Sequence, residues 1–181
     1  MRYMIFVFLI FSFFACQDKE RNKLILKIEE MDSALDSMKT IADESQIDTL
    51  HLLIEHIKEN TSEVKKHYFA DTVEYEVANM MNNYKEVRKA LSTNSGNLSK
   101  VRQSIPEVKE SLENLKHDIT HGVGERDRYE EYVSFEAEKV EKIKEILTYY
   151  LETKTKYLSL YEETEVKVIE FIEELKSAQE K

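Results

Sequence analysis

Leu24, Ile28, Met31, Leu35, Met38 and Ala42 recur at alternating steps of four and three residues. That spacing draws one apolar stripe along an α-helix and leaves the rest of its surface to charge. No other feature limits the fold so tightly, because the pattern returns along the chain. A second seam runs through Ile47, Leu50, Ile54, Ile57, Val64 and Tyr68, and a third through Val73, Val77, Met80, Tyr84, Val87 and Leu91. The third continues in register through Leu98, Val101, Ile105, Val108, Leu112, Leu115 and Ile119. The last carries Val133, Val140, Ile143, Leu147, Tyr150, Tyr157, Tyr161, Val168, Phe171 and Leu175. Strands of this number would need frequent turn residues, yet the 181 residues hold only three glycines and one proline. The expectation is an all-α protein.

The phase of the seams and the punctuation between them set the expected element boundaries. Helix 1 is expected over 20–42. The second seam is out of phase with the first, so the chain must break or slip between them. Asp43 and Gln46 have the spacing of a helix N-cap and its reciprocal partner there, as do Asp71 and Glu74 before the third seam. Ser92 to Asn97 is rich in helix breakers, and Pro106 suits a first helical turn. These features predict a break or kink between 92 and 104 with the two pieces collinear. His121-Gly122-Val123-Gly124 reads as a helix stop. Three spans of similar length follow, 20–69, 72–120 and 125–178. They suggest an elongated, antiparallel, coiled-coil-like bundle of three long rods, the first two interrupted. The alternative is a more compact bundle in which helix 1 folds back at Asp43.

Residues 1–15 have no place in such a bundle. A positive start at Arg2 is followed by an apolar run from Met4 to Phe14, which closes at Ala15 and Cys16, the chain's one cysteine. The run is too short for a membrane-spanning helix, which needs about 20 apolar residues. It has the form of a lipoprotein signal peptide cut between Ala15 and Cys16, with Cys16 lipidated. Phe13 and Phe14 depart from the leucine and small residue usual at those positions. The expected organisation is therefore a signal peptide over 1–15, a short lipidated tether over 16–22 and a single helical domain over 23–181. Such a domain is long enough to bury its own core. With no second cysteine it must cohere by apolar burial, without disulfides. The net charge is −10, and losing Arg2 makes it more negative. Nucleic acid is a poor partner for this chain, and anchoring to a membrane falls to the lipid on Cys16.

Few residues offer chemistry. His117 and His121 stand four apart, a spacing at which two imidazoles can share a metal, but no glutamate follows His117. They are weak metal candidates, expected to be solvated at a helix end. Asp48 with His51 and Asp118 with His121 only approximate the Glu-x-x-His pairs of di-iron bundles, and they fall off the apolar seams. Six of the ten tyrosines lie beyond residue 125, and Tyr150, Tyr157 and Tyr161 share a face. Those three read as core residues with hydroxyls at the rim, or as a groove for a small ligand or peptide. No glycine elbow, phosphate-cradling loop or Ser-His-acid arrangement is present in the sequence. The charge runs Glu136 to Lys139 and Glu173 to Lys176 are expected to be solvated faces. No catalytic residue and no cofactor are expected.

The Ala15-Cys16 site, the heptad seams and the stretch from Leu115-Lys116-His117-Asp118-Ile119 to Glu130-Glu131-Tyr132 together resemble the small all-helical lipoproteins of diderm bacteria that carry no assigned function. The resemblance spans the whole chain and rests on unspecific motifs. It implies anchoring at the outer membrane or cell surface and supplies no catalytic residue. Two functions follow as expectations: a non-catalytic envelope lipoprotein that offers a helical surface to protein partners, or a carrier that takes a small ligand between its helices.

Overall fold

A computed structural model describes the backbone of residues 2–45 and 47–179, and the side chains of residues 19–45 and 49–179. Its elements are α1 (Arg2–Glu44), α2 (Ile47–His67), α3 (Tyr75–His121), a single 3-10 turn (Arg126–Arg128) and α4 (Tyr129–Gln179). The described residues contain no strand, and the protein is an all-α helical bundle.

The chain divides into two compact units, each built from three helical segments. The first comprises Met1–Ala42 and Arg102–Glu145. Its core takes Ile28, Met31, Leu35, Met38 and Ala42 from α1, Ile105, Val108, Leu112 and Ile119 from α3, and Tyr129, Val133, Val140 and Ile143 from α4. The second comprises Asp43–Val101 and Ile146–Lys181. It buries Leu50, Ile54, Ile57 and Val64 of α2, Val77, Tyr84, Val87, Leu91 and Leu98 of α3, and Leu147, Tyr150, Val168 and Ile172 of α4. Most of the seams read from the sequence thus become core, because a helix that packs on two neighbours must bury a stripe one side chain wide or more.

Several boundaries differ from expectation, each for a local reason. The break between α1 and α2 occurs, but α1 runs on to Glu44, so Asp43 lies in its last turn rather than capping α2. Gln46, the other half of that expected cap, lies outside the described residues. No break occurs over 92–104: α3 is helical throughout, with Pro106 inside it, so only the first of the three spans is interrupted. Leu91, Leu98, Val101 and Ile105 are all buried, and that burial outweighs the weak helix propensity of Ser92 to Asn97 and the rung lost at proline. α3 begins at Tyr75 rather than near Asp71, its first backbone bond running from Ala78 N–H to the Glu74 carbonyl (2.9 Å). Val73, expected in the seam, is exposed in the preceding loop.

The helix stop after His121 forms as read. Gly122 takes φ +65°, and the Val123 N–H reaches back to the Asp118 carbonyl (2.9 Å), closing the turn that ends α3. Tyr129 then locks the corner from the start of α4, its buried hydroxyl lying 2.6 Å from the Val123 carbonyl and 3.0 Å from that of Asp118.

Candidate functional site

The second unit holds the densest gathering of polar side chains. Tyr84 on α3 and Glu165 on α4 occupy positions facing the unit's interior, and both are buried. The Tyr84 hydroxyl donates to Glu165 Oε2 in a short hydrogen bond. Asn60 on α2 bridges the pair, its Nδ2 lying 3.1 Å from the Tyr84 hydroxyl and 3.1 Å from Glu165 Oε1. One turn earlier on α2, His56 Nδ1 stands 3.2 Å from the Tyr161 hydroxyl and 3.5 Å from Glu165 Oε1. The Tyr84 and Tyr161 rings stack with centroids 6.3 Å apart and 11° between their planes. All three helices of the unit therefore meet at one carboxylate.

The electrostatics follow from burial. Removing the Tyr84 ring from water pushes its hydroxyl far above the ordinary tyrosine range, and the bond to Glu165 adds to the shift. Tyr161 is pushed up to about 12, by burial first and by the negative Glu165 second. These phenols stay protonated, so the cluster offers donors to a carboxylate rather than a nucleophile with its base. Each member bonds another, which ties the three helices of the unit together at this level.

A second polar position lies nearby in the sequence. Asn94, fully buried, donates from Nδ2 to the Tyr150 carbonyl (2.8 Å), tying α3 to α4 where the helix-breaking run was expected to open the chain. Its Oδ1 and the buried Tyr150 hydroxyl have no partner. Ser95 receives His51, with 3.1 Å between Oγ and Nε2.

On the outside of the same unit, α2 and α3 flank a cavity of about 470 Å³. Val64, Tyr68, Val77, Ala78 and Met81 form its apolar wall, and its charged lining residues are Lys65, Lys85 and Arg88.

The residues singled out from the sequence are dispersed. Tyr150 is fully buried, the Tyr157 hydroxyl donates to Glu86 (2.9 Å), and Tyr161 belongs to the Glu165 cluster. None of the three lines the α2–α3 cavity. His117 and His121 pack ring to ring at 4.2 Å in the first unit, and His121 Nδ1 bonds the His117 carbonyl (2.8 Å). His117 Nδ1 faces Asp118 at 3.5 Å. Among the described residues no group of three or more His, Cys, Asp and Glu side chains is arranged to hold a metal ion. His51 is accounted for by Ser95, while Asp48 lies outside the residues whose side chains are described, as do Ala15 and Cys16.

Glu136 corrects the reading of its charge run as solvated. It is buried in the first unit, where Oε1 takes Lys139 Nζ (2.8 Å) and Oε2 has no partner. Glu173 and Glu174 are exposed as expected. Sequence reasoning missed Asn60, Glu165 and Asn94; only the helical spacing from Tyr161 to Glu165 and Val168 hinted that residue 165 faces inward.

Among the described residues no helix is long and apolar enough to cross a membrane. No family model matches the chain, and no curated protein or solved structure matches it.

Proposed function

We propose that the protein is a non-catalytic lipoprotein of the bacterial cell envelope, tethered through acyl chains on Cys16 at the outer membrane or cell surface, and that it presents its helical faces to a protein partner. The apolar run that ends at the chain's one cysteine supports the tether. The distribution of polar and apolar groups carries the rest. In the second unit Tyr84, Asn60 and Glu165 bond to one another, whereas Leu52 on α2 and Val166 and Ile169 on α4 stand exposed. A surface that offers apolar side chains among charges suits contact with a folded partner.

Photoreactive residues placed at Leu52 and at Val166 in intact cells test the proposal. The expected result is capture of one defined protein from both positions, with capture from the Leu52 probe lost on Val166→Ser and capture from the Val166 probe lost on Leu52→Ser, while the helical circular dichroism is retained. Capture of no protein, with a defined small molecule copurifying with the chain, would transfer the function to a carrier.

A further inference from the structure

The cavity between α2 and α3 has the chemistry of a site for a small amphiphile. The Asn60–Tyr84 hydrogen bond sets the antiparallel register of the two helices. Thr61, Lys85 and Arg88 therefore lie toward the inner end, and Tyr68 and Val73 lie at the loop end. Apolar side chains line the path between them, with Val64 and Val77 buried at its floor and Met81 midway. Lys85 and Arg88 stand one turn apart on α3, where two residues share a face. Lys65 adds a third cation from α2. No acidic side chain lines the cavity, although the chain carries a net charge of −10. Among the described residues these three cations have no ion-pair or hydrogen-bond partner. At the loop end Val73 is 55% exposed, so the apolar path opens to the surface there.

We infer that this cavity binds a long-chain carboxylate, a free single-chain anionic amphiphile, with its head on Lys85 and Arg88 and its tail running along Met81 and Val77 toward Tyr68 and Val73. The polarity favours this occupant: two cations at the inner end and a third, Lys65, midway, no acidic lining residue, an apolar wall reaching the loop end, and a volume within the range of small-molecule sites. A protein helix would bury a broader face than a cavity of this size offers. The site is distinct from the proposed partner surface at Leu52 and Val166, so the two stand or fall separately.

The test is photolabelling of the whole chain, held in phosphatidylcholine nanodiscs, with a diazirine-bearing palmitate. The label is expected on residues 64–81, displaced by unlabelled palmitate but not by hexadecanol. Lys85→Glu combined with Arg88→Glu is expected to cut labelling by about tenfold or more, since even one charge-assisted hydrogen bond carries about that weight. Met81→Trp, which fills the cavity and leaves the cations in place, is expected to block the label too. Unchanged helical circular dichroism in both variants separates loss of binding from loss of fold. Labelling spread evenly along the chain, displacement by hexadecanol equal to that by palmitate, or displacement by an equal amount of phosphatidylglycerol would each overturn the assignment.

Discussion

Tyr84→Phe isolates the Glu165 cluster, because it deletes one oxygen and keeps the buried, stacked ring. That oxygen donates to Glu165 Oε2 and lies 3.1 Å from Asn60 Nδ2. A hydrogen bond to a charged group contributes about 1.5 to 3 kcal/mol, and a buried carboxylate left short of a donor is penalised besides. Asn60 still reaches Glu165 Oε1, which limits the loss. The expected cost is about 2 kcal/mol, confined to the second unit. Replacing the carboxylate as well, in Tyr84→Phe with Glu165→Leu, removes the group that needed the donor. The pair should then cost less than the sum of the single changes, with a coupling of about 1 kcal/mol or more. Hydrogen exchange of the α3 amides near residue 84 reads these differences locally, without assuming that the whole chain unfolds in one step. A Tyr84→Phe effect below about 0.5 kcal/mol, or strict additivity with Glu165→Leu, would refute the view that the cluster holds the three helices in register.

Other changes probe the remaining cohesive forces. Leu112→Ala in the first unit and Leu147→Ala in the second each empty a buried site and should cost about 2 to 5 kcal/mol in urea denaturation; a loss under about 1 kcal/mol would remove that residue from the core. Pro106 is exposed inside α3, so Pro106→Ala restores a helical rung and should stabilise the first unit by about 1 to 3 kcal/mol, read as slower exchange over 100–112. Alkali should loosen the second unit. Tyr161 titrates at about 12 when folded against about 10 in an unfolded chain, so the fold prefers its neutral form. That preference contributes fully below about pH 10 and is lost as the pH rises towards 12, with Tyr84 shifted in the same direction. Tyr161→Phe should flatten the alkaline fall in unfolding midpoint, and an unchanged slope would contradict the assignment.

Where a seam alone decides burial, the sequence was readable. Ile28 through Ala42 and Leu98 through Leu112 were placed on the buried face by spacing, and the phase slip before Leu50 announced the end of α1. Propensity misled over 92–104, since Asn94 is not a loop residue: its amide donates to a carbonyl of α4 from a fully buried position, and the flanking leucines are buried too. Nothing local distinguishes that asparagine from one in a turn, because its partner lies 56 residues away. The same holds for Glu165 and Glu136. In sequence each is one more acid in a charged helix, and only the meeting of α4 with neighbouring helices determines that these two face inward. The three tyrosines of α4 have different surroundings because the partners of Tyr157 and Tyr161, Glu86 and His56, come from other helices, while the Tyr150 hydroxyl is buried without a partner instead of reaching the rim.

The tether at Cys16 underlies the whole functional proposal, and the mature N-terminus tests it most directly. Cells expressing the wild-type chain or Cys16→Ser would be grown with radiolabelled palmitate, and the purified proteins analysed by intact mass. The account predicts a labelled wild-type protein that begins at Cys16 and carries acyl chains, and an unlabelled variant that retains residues 1–15. Equal labelling of the two, or a wild-type protein that keeps its first fifteen residues and carries no lipid, would contradict it.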